Sequence, residues 1–273
     1  MHFTKMHGAG NSFIILEDMH GVLTGGDLGV LARRLCGENS GPGADGMIVI
    51  IPDEGADFGM LFYNSDGSEG EMCGNGARCV SRYAVEHGIA GDAQNARFRA
   101  PAGLVCGRRI DESLYEVRLN DPSVVELGIT AVTERDAELC SYIELGKPGI
   151  PHAVVEIGPA ELWDPDALRE RGRALRYSPS FKRGANVTFA CVTGPHSIRA
   201  ITYERGVEDF TLACGTGCGA AAVALLLSGR LPGESLEIEM PGGRLSVRLH
   251  IENGTARDIL LTGPTAFVCE GEF

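Results

Sequence analysis

Apolar residues follow two rhythms along this chain. Short runs and alternations bounded by Gly, Pro, Asn or Asp read as strands: MIVII at 47–51, FRAPAGLVC at 98–106 and YEVRL at 115–119. VVEI at 154–157, ANVTFACV at 185–192, LEIEMPGG at 236–243 and LSVRLHI at 245–251 repeat the signature further on. The second rhythm is helical. From Ala77 to His87, Val80, Tyr83 and Ala84 share one helix face, and Gly88 supplies the stop. From Gly219 to Ser228 the run AAAVALLL is apolar on every side, which predicts a helix enclosed by its own lobe. Strands around one conspicuous helix, twice over, predict an α+β fold.

The two halves also share their punctuation. Cys73-Gly74-Asn75-Gly76 and Cys214-Gly215-Thr216-Gly217 lie 141 residues apart, and the same offset carries Gly88 to Gly229. It carries Gly43-Ala44 to Gly184-Ala185, followed by Asp45 and Asn186, and Asn11 to His152. RAPAGLVCG at 99–107 finds its partner in EMPGGRLSV at 239–247, with the prolines displaced by one position. Turn glycines answer to backbone geometry and outlast side-chain drift in a duplicated unit. The chain therefore reads as two copies of one α+β unit in pseudo-twofold relation, residues 1–120 and 121–261. The boundary falls in the loop Asn120–Ser123.

Composition narrows the function classes. A formal net charge of −13 argues against nucleic acid, whose phosphates need a basic surface. The longest apolar run, Ala220–Leu227, is far short of a membrane span. The opening MHFTKMHGAGNSF lacks the basic-then-apolar layout of a secretion signal. Nine cysteines, an odd number, then point to thiols in a reducing compartment, so a cytoplasmic location is expected. No CxxC pair or Cys/His ladder suggests a metal, and none is expected.

Each Cys-Gly-x-Gly stands just ahead of a predicted buried helix. Helix N-terminal amides carry partial positive charge and lack internal partners, so they can cradle a carboxylate and favour a thiolate. Two such thiols facing one ligand could invert a carbon acid: one removes the α-proton, the other delivers a proton to the opposite face. A lone cysteine is ordinarily a small core residue. That reading is kept for Cys36, Cys79, Cys106, Cys140, Cys191, Cys218 and Cys269. A redox dithiol is the rival for Cys73 and Cys214.

KMHGAGNSF at 5–13, GPGADG at 41–46, FYNSDGSEGEMCGNGARC at 62–79, IPH at 150–152, GANVTF at 184–189 and ERGVEDFTLACGTG at 204–217 together resemble the diaminopimelate epimerase family. The resemblance runs over essentially the whole chain. It implies two lobes, each a curved, mostly antiparallel sheet around a central helix, with a cleft between them and the segment 262–273 returning to the first lobe. It implies a cofactor-independent epimerase that interconverts LL- and meso-diaminopimelate in lysine and peptidoglycan-precursor biosynthesis, with Cys73 and Cys214 as the acid/base pair. By the same resemblance Gly74, Asn75, Gly215 and Thr216 bind the reacting carboxylate, and Asn11, Asn64, Asn186, Glu204 and Arg205 hold the remaining substrate atoms. The chemistry of the last two agrees: Arg205 offers a planar fork to a distal carboxylate and Glu204 can pair with a distal ammonium.

The chain departs from the family pattern at Ile150, where many members have Asn, at Gly46, where some have Gln, at Ser12, where Asp is usual, and in the order Cys218-Gly219. The alternatives are an epimerase or racemase of another amino acid on the same scaffold and, further off, a thiol redox protein. Pyridoxal phosphate would need a Schiff-base lysine. Only Lys5, Lys147 and Lys182 exist, none in a phosphate-binding context, so no cofactor is expected. The expected partner is a small amino-acid substrate, and a homodimer is the default assembly.

Overall fold

The computed structural model describes all residues except Glu71, Met72, Arg135, Leu162 and Trp163. Two residues of the EMCGNGARC motif, Glu71 and Met72, thus lie outside the described residues. The chain divides into two lobes: Met1–Arg118 with Thr262–Phe273, and Leu119–Leu261.

In the first lobe β1 (His2–Gly8), β2 (Asn11–Glu17), α1 (Leu28–Cys36), β3 (Gly46–Ile51) and β4 (Phe58–Asn64) precede α2 (Gly74–Glu86). β5 (Asn95–Ala100), β6 (Gly103–Arg109) and β7 (Leu114–Arg118) follow it. β1–β2, β3–β4, β5–β6 and β6–β7 pair antiparallel. β2–β3 and β4–β5 pair in parallel. The chain re-enters this lobe at Thr262 and ends in β17 (Ala266–Glu272), which lies antiparallel on β1 from His2↔Glu272 to His7↔Ala266.

The second lobe repeats the order after an opening strand. β8 (Pro122–Val132), β9 (Ala137–Gly146), β10 (Gly149–Glu156), α3 (Pro165–Arg176), β11 (Asn186–Gly194), β12 (Ser197–Tyr203) and the short β13 (Phe210–Thr211) lead to α4 (Gly215–Leu227). β14 (Ser235–Met240), β15 (Gly243–Glu252) and β16 (Thr255–Pro264) follow. β9–β10, β11–β12 and β14–β15 pair antiparallel, whereas β10–β11 and β12–β14 are parallel, matching the first lobe strand for strand. β8 lies antiparallel on β9 as β17 does on β1. The fold is α+β, as the pattern predicts.

The two inner helices match most closely: α2 and α4 have 13 residues each, and each is followed by a glycine in the left-handed region, Gly88 at φ +71° and Gly229 at φ +70°. α2 packs on β1, β2, β5, β6 and β7, and α4 on β9, β10, β11, β14 and β15. Strands on several sides explain why α4 can be apolar all round.

The offset does not hold everywhere. Ile50 lies opposite Met60 in the first lobe, but Cys191 lies opposite Arg199 in the second, a slide of two positions. An even slide keeps every side chain on its own face, so the core survives it.

Three expectations need correction. Each lobe holds a second helix that the apolar pattern did not disclose. α1 starts at an Asp27 cap and α3 at an Asp164 cap with Pro165 in the first turn, both strong start signals. Leu28, Ala32 and Leu35 of α1 cover Ile14, Leu16, Met47 and Val49, which is why β2 and β3 are apolar on both faces. Secondly, the Gly-x-Gly turns do not precede the inner helices but form their first turns. A Cβ on Gly76 would stand 3.0 Å from Ile48 Cδ1, and one on Gly217 2.8 Å from Thr202 Oγ1 and 2.9 Å from Thr188 Oγ1. These glycines are there for close packing. Thirdly, Cys106 and Cys269 are exposed, whereas Cys36, Cys79, Cys140, Cys191 and Cys218 are buried. Cys106 follows the inward Val105 on β6, and strand alternation turns it outward.

Gly217→Ala tests the packing reading. Alanine gains about 1 kcal/mol of helix propensity. The new methyl, however, meets two buried hydroxyls already bonded to each other at 3.0 Å. Overpacking of about 1–3 kcal/mol should win, giving net destabilisation in urea unfolding. A gain in stability would show that the turn is not tightly packed.

Candidate active site

Cys73 and Cys214 hold the same post in the two lobes. Each is the N-cap of the inner helix, in extended backbone at φ −132°, ψ 113° and φ −117°, ψ 104°. The thiols therefore sit at the positive end of a buried helix.

In the first lobe the site grows from the β1–β2 turn and the first turn of α2. Asn11 opens β2, and its Oδ1 accepts from the Cys73 thiol at 3.7 Å and from Asn75 Nδ2 at 3.4 Å. Asn75 is buried, and its own Oδ1 accepts from Arg78 Nη2 at 2.9 Å. Arg78 Nη1 also donates to the Gly74 carbonyl at 3.2 Å. Cys73, Gly74, Asn75 and Asn11 are thus one cluster. Asn64 closes β4, and its amide is held by Ser68 Oγ at 3.0 Å. Arg78 lies within GNGARC, but no spacing in the sequence marks it as part of the site; its burial against Asn75 does.

In the second lobe the Cys214 thiol contacts Thr216 Oγ1 at 3.7 Å. Glu204 follows β12, and its Oε1 accepts from Thr211 Oγ1 at 2.6 Å. Asn186, at the head of β11, takes the Arg205 N–H on its Oδ1 at 2.8 Å and donates to the Pro151 carbonyl at 3.3 Å. Arg205 Nη1 donates to the Arg183 carbonyl at 3.2 Å. Asn186 thereby ties the strand end at Pro151 to the turn that carries Glu204 and Arg205.

Electrostatics overturn one expectation. Burial raises the Cys214 pKa well above the ordinary thiol value, and the Glu204 carboxylate adds to it. The Thr216 hydroxyl and the Gly217 amide at the helix end pull the other way and lose. A helix N-terminus stabilises a thiolate only where desolvation does not exceed it. Cys214 is held as a thiol, which suits a proton donor. Elsewhere burial, as the largest cause, pushes Cys36 and Cys79 up to about 12, so these thiols are inert.

His152, on β10, is fully buried and neither ring nitrogen has a hydrogen-bond partner. Burial first, then the charge of Arg205, pushes it down to about 3. It stays neutral at physiological pH.

The diaminopimelate epimerase family model matches residues 3–119 and 146–268, most of the chain. This chain belongs to the diaminopimelate epimerase family. A diaminopimelate epimerase from Carboxydothermus hydrogenoformans is 33% identical over 282 residues, covering 100% of this chain and 99% of the relative. One from Archaeoglobus fulgidus is 36% identical, covering 98% of this chain and 95% of its own. Among solved structures, a probable proline racemase from Agrobacterium radiobacter K84 superposes with a TM-score of 0.73 at 19% identity, covering 100% of this chain and 92% of its own. A phenazine biosynthesis protein of the PhzF family from Bacillus anthracis gives 0.75 at 13% identity, covering 100% and 98%. At such identities the last two speak for the fold alone. Among the described residues, no helix is long and apolar enough to cross a membrane.

His152 gives the site a pH signature. Its folded-state pKa of about 3 lies below the ordinary 6.5, so between those values the unfolded chain binds the extra proton. Acidification through that window should cost the fold about 1.4 kcal/mol per pH unit from this residue, and above it the contribution is constant. His152→Gln should flatten the stability-versus-pH slope by that amount relative to the parent. Parallel slopes for the two proteins would refute the buried, neutral assignment.

Proposed function

We propose that this chain is a cofactor-independent epimerase that interconverts the LL and meso stereoisomers of diaminopimelate, acting in the cytoplasm. The observation that carries the reading is the pair of cysteines capping matched, buried 13-residue helices in a chain of this family.

In the proposed reaction the substrate α-carbon lies between the two thiols. Cys73, as thiolate, takes the α-proton from one face, and Cys214, held as a thiol by burial and by Glu204, gives its proton to the other. The reverse direction exchanges the roles, and each sulfur regains its starting state by trading a proton with solvent. No redox change occurs. The first-turn amides of α2 and α4 are suited to the α-carboxylate, whose neighbouring carbon becomes electron-rich in the transition state. Glu204 and Arg205 suit the charges at the distal amino-acid end, and Asn11, Asn64, Asn75, Asn186 and Thr216 supply neutral polar contacts.

One residue favours a second reading. Ile150, half-buried on β10, offers no hydrogen bond where many relatives have an amide. An epimerase for an amino acid with a different far end is therefore the alternative.

Two measurements decide. Unlabelled substrate converted in D₂O should yield product deuterated at the inverted carbon before the remaining substrate acquires label, as two separate proton carriers require. Cys73→Ser and Cys214→Ser should each lower kcat by about 10²–10⁴-fold, because the hydroxyl keeps the size but is a far poorer proton carrier. Near-parental turnover by either serine variant would overturn the two-thiol mechanism. An inert parent on diaminopimelate that turns over another amino acid would establish the second reading.

A further inference from the structure

Arg78 is among the largest side chains in the molecule with no exposure to solvent. It occupies the second turn of α2, and a cation there costs several kcal/mol in desolvation unless its donors are used. They reach the Gly74 carbonyl at 3.2 Å and Asn75 Oδ1 at 2.9 Å.

The chemistry of those donors has a consequence for the amides beside Cys73. A guanidinium can only donate, so the oxygen of the Asn75 amide must face Arg78. The Asn75 NH₂ group is then turned away from the guanidinium and toward Asn11 Oδ1, 3.4 Å distant. The Asn11 oxygen is thereby fixed on the Cys73 side, where it also meets the thiol at 3.7 Å. The assembly is closed from behind by strand β1. A Cβ on Gly8 would stand 3.0 Å from the Asn75 carbonyl oxygen and 3.4 Å from Arg78 Nη2. The duplication partner of Arg78, 141 positions on, is Gly219, which packs against Leu119 and Leu145. The device belongs to the first lobe alone.

We propose that Arg78 is a positioning residue for the reaction: it sets the orientation of the Asn75 and Asn11 amides and through them the placement of the Cys73 sulfur. The inference rests on the assignment of Cys73 as a proton carrier. Arg78 itself touches no substrate.

The test compares Arg78→Met, which has no donor, with Arg78→Lys, which keeps a cation, and with Gly8→Ala, whose methyl presses on the Asn75 carbonyl at 3.0 Å and leaves the guanidinium in place. Each is assayed for kcat and KM on diaminopimelate, and for the relative rates at which iodoacetamide alkylates Cys73 and Cys214, read by peptide mass spectrometry. Misplacement of a reacting group by about 1 Å costs on the order of 10²-fold. Arg78→Met should lose about that much in kcat with far less change in KM, Arg78→Lys should recover part of it, and Cys73 alkylation should slow while Cys214 alkylation holds.

Unchanged kcat and unchanged Cys73 alkylation in folded Arg78→Met would overturn the proposal. So would equal changes at both thiols, which mark general loosening. If Arg78→Met fails to fold, Gly8→Ala and Arg78→Lys carry the same comparison. The alkylation readout needs no turnover, so it separates failure of this inference from failure of the epimerase assignment.

Discussion

The constraint on which each lobe depends is the burial of a whole helix. A helix enclosed by strands satisfies its backbone internally except at its ends, where the first amide hydrogens have no partners of their own. Both lobes end the problem in the same way: an extended cysteine at the cap, glycines in the first turn, and strand ends gathered about it. The glycines let β3 in one lobe and β11 with β12 in the other come within contact of the helix, as the Ile48, Thr188 and Thr202 distances show. A helix end so enclosed is a fixed dipole in low dielectric, where it acts strongly on a charged group brought to it. Fold and chemistry thus share one cause.

Desolvation is the competing term, and at Cys214 it decides the protonation state. At Cys214 it exceeds the combined help of the helix end and Thr216, and Glu204 adds to it. The same helix end that attracts a carboxylate ligand therefore does not by itself yield a thiolate. The second lobe keeps a proton on its sulfur, and that is the state a donor to a carbanion needs.

Much of this was legible in the sequence for a definite reason. Turn glycines and cap positions obey local geometry, so the 141-residue offset exposed the duplication, and Gly88 and Gly229 did prove to share one conformation. Cys73 with Asn75, and Cys214 with Thr216 and Glu204, come from motifs that are contiguous or nearly so, whereas Asn11 joins the first cluster from 62 residues away. What stayed hidden depends on tertiary context. α1 has only 9 residues and α3 is crowded with charge, so Asp27 and Asp164-Pro165 were their clear signals. The protonation state of Cys214 depends on how much water the fold excludes, which no residue spacing reports. Arg78 stood in plain view, but nothing in GNGARC says that its side chain turns inward to Asn75.

Duplication gave the lobes one frame; the chemistry depends on where they diverged. At the position that carries buried Arg78 in the first lobe, the second has Gly219. Beneath the first turn, where one lobe puts Ile48 and Phe13, the other puts the paired hydroxyls of Thr188 and Thr202. Near the cysteine, one has the Asn11 amide and the other the Glu204 carboxylate, which disfavours a thiolate. In the proposed reaction the two thiols share one transferable proton, and the surroundings of each sulfur bias where it rests. Burial and the Glu204 carboxylate bias Cys214 toward the thiol. In the proposed mechanism duplication supplies the two proton carriers, and the divergence around Cys214 fits that one to the role of donor.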